Sequence, residues 1–458
     1  MQRLTLGEGV RALARLVALL LAAGVLAVAL PVRAAEPAAK ELFAVIVTRH
    51  GVRSITSTPK NYAWAPWAPV RPGYLSAHGY RLISYMGRFY RGYFGERAGF
   101  DCRTHGAYVY ADVDERTLET ARALVEGLCG APTALPILHE RDTSLDDPLF
   151  NATAWVASHG KLDVAASRAA VAAAAPAPPS AIVSDHAADF AALQAMLDAR
   201  CVPGYGCASV TDGASSIGAH EGLAELGGPL KVASGYAEDT FLEYAECRPL
   251  AAMGADNEVE FVERLQAAMR LHVLAYDVNA RNAYNPLVRG GNLFAHVVAL
   301  LQQKAGIAHP VTAVPSLGGD SLAIFSGHDT QLGALGGILD AHWHFGDGLV
   351  DDDMPPGSAL LFELLRTPGG SYAVRVRFAF EELAQFRSAS PVPGGIATVP
   401  VRLLGCTSDA CDVPLSRLAD LATRLRQRGF VDARWAAPSD AVVPLAPLAD
   451  PSWSACAS

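Results

Sequence analysis

At 458 residues the chain exceeds one small domain, and its 46 acidic residues outnumber 37 basic ones for a net charge of −9. A globally acidic protein lacks the basic footprint of a nucleic-acid binder. The N-terminus comes first: Arg3, Arg11 and Arg15, an apolar stretch over 16–30, then Pro31-Val32-Arg33-Ala34 before Ala35. This pattern predicts a secretory signal peptide over 1–34, cleaved after Ala34, with a periplasmic or secreted product and no stable membrane association afterwards. An uncleaved anchor is the alternative, opposed by Pro31 and by the shortness of the apolar run. Cleavage removes four arginines and one glutamate and leaves a charge of about −12, so an anionic ligand must be drawn in by local cations.

Residues 42–47 (Leu-Phe-Ala-Val-Ile-Val) form a continuous apolar run, which predicts a strand buried on both faces of a sheet. It ends in Arg49-His50-Gly51-Val52-Arg53. The carboxyl end of a strand in an open α/β sheet is where ligands bind. Fork-shaped guanidiniums suit phosphate oxygens, and an imidazole between them can act as nucleophile or base. Arg-His-Gly alone is common by chance; its weight comes from the strand before it, from Arg53 and from a matching element downstream.

The stretch 108–111 predicts a second strand, followed by Asp112-Val113-Asp114-Glu115-Arg116-Thr117 and a helix through about 128. Acidic residues suit a helix start; Arg116 opposes the dipole there, as expected of a charge needed by a ligand. A solvated arginine or a salt bridge to Asp112 is the alternative. After the apolar run 322–325 comes Ser326-Gly327-His328-Asp329-Thr330, then residues 331–339 at helical spacing, so His328 and Asp329 sit on another strand-to-helix turn. They could instead form a helix cap beside a solvated histidine, or part of a metal site, but no second ligand group stands at a recognisable spacing. His342 and His344 form a His-x-His pair that reads as structural, and no metal or cofactor is expected.

Strands at 42–48, 107–111, 322–326, 359–365 and 372–380 predict one α/β sheet domain. Residues 152–300 are mostly helical, including 187–199 and 258–276, and read as a cap inserted into it. The expected domains are therefore 35–151 and 301–458, forming the two parts of the catalytic α/β unit, and 152–300, the helical cap. The Ala/Pro-rich stretch 165–179 starts as a helix and is broken by Pro176 to Pro179.

Taken together these motifs resemble the histidine acid phosphatases, and within them the bacterial periplasmic phytases and glucose-1-phosphatases. The resemblance rests on Arg49 to Thr56, Asp112 to Thr117, Asp142-Thr143-Ser144 with 147–151, and Gly327 to Leu332. It continues in Pro355-Pro356-Gly357 and the loop from Gly405-Cys406 to Cys411. It implies a phosphoglycerate-mutase-like sheet flanked by helices. It further implies that His50 attacks phosphorus, that Asp329 protonates the leaving oxygen, and that Arg49, Arg53, Arg116 and His328 hold the phosphoryl oxygens. Thr56 falls where the family has a substrate-contacting threonine, and Arg289 is a candidate for reaching a polyanionic substrate. The implied enzyme is a monomer acting on small organic phosphates, phytate-like or a sugar phosphate. A binding protein that keeps the arginines without turnover is the non-enzymatic alternative.

The chain departs from the family at Ile55, where proline is usual, at Gln331, where phytases carry Asn, and at Cys247-Arg248, in place of Gly-Met. Arg248 then either adds charge at the pocket rim or is solvated. Eight cysteines in an exported chain predict four disulfides. Short spacings favour Cys201–Cys207 and Cys406–Cys411; Cys102–Cys129 would tie a strand to a helix and is supported by the resemblance. Cys247–Cys456 follows by elimination, although the family's usual partner for the C-terminal cysteine falls near Ser158.

Overall fold

The computed structural model describes residues 39–432 except 58–60, 143–145, 203, 312–314, 347, 389, 404, 407 and 409–410. The expected signal segment, Thr143-Ser144 and Cys456 lie outside the described residues. The first elements are β1 (Lys40–Arg49), α1 (Ala77–Arg97), β2 (Ala107–Ala111), α2 (Glu115–Cys129) and β3 (Ile137–Leu138). Four helices follow, α3 (Thr153–Ser158), α4 (Val164–Ala174), α5 (Ala181–Asp185) and α6 (Ala187–Asp198). A hairpin of β4 (Ser216–His220) and β5 (Leu223–Gly227) precedes α7 (Pro229–Ala245), α8 (Glu258–Asn279) and α9 (Asn285–Ala305). The chain returns through β6 (Leu322–Gly327), α10 (Asp329–Leu339), β7 (His342–Trp343), β8 (Ala359–Arg366) and β9 (Tyr372–Glu381). It closes with α11 (Leu383–Phe386), β10 (Ile396–Arg402), β11 (Asp412–Pro414) and α12 (Leu415–Gln427).

The main sheet runs β3-β2-β6-β1-β8-β9-β10-β7, with β11 added on β9. β3, β2, β6 and β1 are parallel, while β8, β9 and β10 continue antiparallel. Alternation along β1 explains its unbroken apolar run. Phe43, Val45 and Val47 pack into one core and Ala44 and Ile46 into another, so both faces of the strand are covered. On the second face α1 and α2 cross so closely that a Cβ on Gly87 would lie 2.5 Å from the Leu124 carbonyl oxygen, and one on Gly127 2.1 Å from that of Ser84. Only glycine permits that approach. On the first face α9 lies against β1, α10 and α12.

The register brings three strand ends level. Arg49 pairs with Gly327, and Ser326 lies opposite both Thr48 and Ala111. The residues that follow, His50, Asp112 and His328, therefore emerge side by side at the carboxyl edge. The Pro355-Pro356-Gly357 loop closes this edge, with Gly357 N–H donating to the His50 carbonyl at 2.9 Å.

Disulfides join Cys102 to Cys129, Cys201 to Cys207 and Cys406 to Cys411, with Cα separations of 5.7, 5.7 and 6.0 Å. The expected pairing of Cys247 rests on Cys456, outside the described residues. Cys247 itself has φ of 57°, a backbone position that suits the glycine of the family pattern. Among the described residues no helix is long and apolar enough to cross a membrane.

Candidate active site

A cavity of about 590 Å³ opens over the carboxyl edge of β1, β2 and β6. His50, Arg53, Arg116, His328 and Asp329 line it, with Arg289 at its wall. His50 is buried, and its Nδ1 lies 2.9 Å from the Gly51 carbonyl oxygen. A carbonyl only accepts, so Nδ1 carries the proton and Nε2 keeps its lone pair. Burial, then the charges of Arg53, Arg49, His328 and Arg116, hold the His50 pKa well below the ordinary imidazole value. The ring is thus neutral and nucleophilic even in acid.

Arg49 is buried behind the cavity wall. Its guanidinium donates to the Met354 carbonyl and to Glu238, and lies 3.1 Å from an Asp329 carboxylate oxygen. Arg53 approaches the same Glu238 at 4.0 Å. Arg116, on the first turn of α2, pairs with Asp114 at 2.7 Å rather than with Asp112, and stands 3.4 Å from His328 Nδ1. His328 turns Nε2 to Asp112 at 2.9 Å. Arg116 and Asp112 thereby fix the His328 ring from opposite sides. The Nε atoms of Arg49, Arg53, Arg116 and Arg289 are buried without a hydrogen-bond partner among the described residues.

Asp329 opens α10. Burial raises its pKa, but the adjacent Arg49 charge, the Tyr276 hydroxyl and the charges of His272 and His328 outweigh burial and hold it below the usual carboxylate range. With these neighbours it is ionised. Gln331, one of the departures from the family pattern, is buried; its side chain accepts from His328 N–H at 2.6 Å and donates to the Phe150 carbonyl at 2.7 Å. It caps the helix that carries Asp329.

The other expected residues are placed differently. Thr56 is exposed and is not among the residues lining the cavity. Arg289 lines it, with Glu221 at 3.8 Å. Arg248 is neither solvated nor at the rim; it is buried with its guanidinium 4.7 Å from the Trp67 ring centroid, a cation–π seat that keeps it from the cavity. His342 and His344 take Asp352 and Asp351 as partners, at 2.6 and 2.9 Å. Asp112, Asp114 and His328 bring ligand atoms within 4.8 Å of one another, but Arg116 already supplies a cation to Asp114.

Sequence reasoning missed Glu238, which binds Arg49, and Tyr276, which binds Asp329. It also missed the β4–β5 hairpin, whose turn residue Glu221 reaches the cavity with φ of 51°. One signal for Glu238 was present: Glu238, Asp239, Glu243 and Glu246 cluster on an otherwise apolar helix, and three of them, Glu238, Glu243 and Glu246, are buried.

No family model matches the chain. It is 28% identical over 403 residues to the phytase AppA of Escherichia coli, a match covering 81% of this chain and 88% of that protein. The solved structure of Hafnia alvei phytase in complex with tartrate aligns at a TM-score of 0.72 and 27% identity. The same phytase in complex with myo-inositol hexakis sulphate aligns at 0.71 and 28%; both comparisons cover 85% of this chain and 98% of the other. Fold, site and relatives together define a phosphomonoesterase. These similarities support a member of the histidine acid phosphatase family.

Proposed function

We propose that this is an exported, phytase-like acid phosphatase that works through a phosphohistidine on His50. The observation that carries this reading is the His50 ring. Its Nδ1–H is held by the Gly51 carbonyl, and its Nε2 lone pair is free in a cavity shared with Arg53, Arg116 and Asp329. In the first step Nε2 bonds to phosphorus, the bond to the leaving oxygen breaks, and a proton on Asp329 goes to that oxygen. In the second, water attacks the phosphohistidine, Asp329 takes its proton, and His50 is released with inorganic phosphate.

Arg53 and Arg116 face the cavity and hold the equatorial oxygens, and their unpartnered Nε donors support that role. Arg49 adds its charge from behind the wall, and His328, steadied by Asp112 and Arg116, offers its ring edge. Residues 152–300, read as the inserted cap, contribute Glu221, Lys231, Tyr276 and Arg289 to the cavity wall. Export follows from the N-terminal pattern and agrees with the three disulfides. We take the protein to act as a monomer.

Inositol hexakisphosphate is the preferred substrate class on the strength of the Hafnia alvei phytase complex with myo-inositol hexakis sulphate. A cavity of about 590 Å³ has the volume for such a ligand. One observation favours a second reading, a sugar monophosphatase or broad acid phosphatase. The rim cations are already matched by carboxylates, Lys231 by Glu225 at 2.7 Å and Arg289 by Glu221 at 3.8 Å. Initial rates with hexakisphosphate, glucose 1-phosphate and p-nitrophenyl phosphate in EDTA decide between them. Undiminished turnover by a His50→Ala protein would refute the phosphohistidine.

A further inference from the structure

Asp329 is held by a residue from a different helix and a different part of the chain. Tyr276 lies near the end of α8 and lines the cavity. Its ring sits on α10 at Gly333, where an added Cβ would lie 2.8 Å from Tyr276 Cδ1 and 3.2 Å from Cε1. Gly333 is four residues after Asp329, so both fall on one face of α10, a turn apart. A ring resting on the bare backbone at Gly333 therefore directs its hydroxyl one turn back toward the Asp329 carboxylate, close enough to favour its ionised form. His272, one turn earlier on α8, packs its ring 5.1 Å from that of Tyr276 and limits where the phenol can turn. A hydroxyl set beside the Asp329 carboxylate and the Arg49 charge has no packing reason to be there; phenylalanine would fill the same ring space.

We propose that Tyr276 is a positioning residue for proton transfer: seated on Gly333, it holds the Asp329 carboxylate by its hydroxyl, in the orientation from which Asp329 reaches the leaving oxygen. The inference rests on the phosphohistidine reading above. The phenol donates to one carboxylate oxygen while Arg49 engages a carboxylate oxygen at 3.1 Å, so the group is fixed from two elements at once. Without the phenol, Asp329 keeps only Arg49, and its side chain gains a rotation that moves the acid away from the leaving group. Positioned acids lose rate steeply with small displacements.

The consequence depends on the leaving group. An alkoxide needs its proton as the bond to phosphorus breaks, whereas p-nitrophenolate leaves without one. Tyr276→Phe keeps the ring on Gly333 and removes the hydroxyl alone. We expect kcat/KM, which reports the phosphorylation step alone, to fall about tenfold on an alkyl phosphate such as glycerol 2-phosphate and by less than about twofold on p-nitrophenyl phosphate.

The pH profile supplies a second readout. The groups facing Asp329 are Arg49 from β1, Arg116 from α2, Tyr276 and His272 from α8, and His328 at the start of its own helix, with Glu238 of α7 and Asp353 before β8 behind them. Of these only the Tyr276 hydroxyl is lost in the variant. That hydroxyl stabilises the ionised carboxylate, so its removal should carry the alkaline limb of kcat to higher pH while the plateau on alkyl substrates drops. Titration of the substrate phosphate is common to both proteins and cancels in the difference.

Gly333→Ala tests the seat with the hydroxyl retained. The new methyl displaces the ring from α10 and should reproduce the leaving-group split. A Tyr276→Phe protein with wild-type kcat/KM on both substrates, or with equal losses of kcat/KM on both, overturns the proposal. Neither result touches the phosphohistidine reading, which stands or falls with His50→Ala.

Discussion

Arg49, fully buried, and Asp329, partly open to the cavity, form an ion pair at 3.1 Å beside the proposed phosphoryl site. Desolvation alone would raise the pKa of the Asp329 carboxyl, and the Arg49 charge reverses this, leaving the acid ionised. A phosphoryl dianion entering beside them competes for the guanidinium and repels the carboxylate. Both effects raise the proton affinity of Asp329, so the acid becomes charged with its proton as substrate binds.

Asp329→Asn should separate chemistry by leaving group. With alkyl phosphates kcat should fall by about 10²–10⁴, the usual worth of a positioned acid. With p-nitrophenyl phosphate the first step should be nearly spared, and dephosphorylation, which needs Asp329 as base, should become limiting. Rapid quenching would then show phosphoenzyme accumulating. Equal losses for both substrates with no phosphoenzyme would contradict the acid role.

Glu238 meets the same terminal nitrogen of Arg49 as Asp329 does, so the guanidinium serves two carboxylates. Arg49→Met would leave both buried charges uncompensated and should destabilise the protein by about 3–5 kcal/mol. Adding Glu238→Leu should recover part of that loss, because one orphaned charge is then gone. Urea denaturation of the two single variants and the double variant measures the coupling. Additive losses would show that the pair does not cooperate in folding.

How much of this was legible beforehand depended on whether a residue's role was local. β1, β2 and β6 were readable because burial on both faces produces unbroken apolar runs, and chemistry standing at their ends was visible against that background. Arg116 stood out because a cation conflicts with the helix start it occupies. Glu238 and Tyr276 were less plain, the first marked only by an acidic cluster along its helix and the second by nothing. Each lies within a helix that has a packing pattern of its own, and each reaches the site only through tertiary placement. The β4–β5 hairpin was hidden for a different reason: Glu221 takes the positive-φ turn position where Asn, Asp or Gly would have announced a hairpin.

That hairpin turn bears on substrate choice. Glu221 stands 3.8 Å from Arg289, and Glu225 2.7 Å from Lys231, so rim cations meet an incoming polyanion already paired. Glu221→Gln and Glu225→Gln should each lower KM for hexakisphosphate about threefold, the scale of a single exposed charge interaction. Arg289→Ala should raise it by a similar factor. p-Nitrophenyl phosphate, which does not extend to the rim, should respond to none of the three. The gain should shrink in high salt, as expected of exposed charges.

The carboxylates away from the site predict how stability follows pH. Glu381, at the end of β9, is buried, neither of its oxygens has a hydrogen-bond partner among the described residues, and burial pushes its pKa up to about 8. A folded pKa above the unfolded value means that the folded state binds the extra proton, so the contribution is fully present below about 4.5 and is lost as pH rises through about 8. Glu41, raised to about 7 by burial, and Glu246, raised to about 7 by burial, act in the same direction. His78 and His296, lowered to about 4 by burial, act oppositely and cost stability as pH falls below 6.5. Between about pH 6.5 and 8 the raised carboxylates dominate, so Tm should fall across that interval. Glu381→Gln removes the ionisation and should flatten the fall, with the variant gaining on the wild type as pH rises. Melting curves at pH 5.5, 6.5, 7.5 and 8.5 measure the slope, and parallel curves for the two proteins would show that Glu381 does not titrate in the fold.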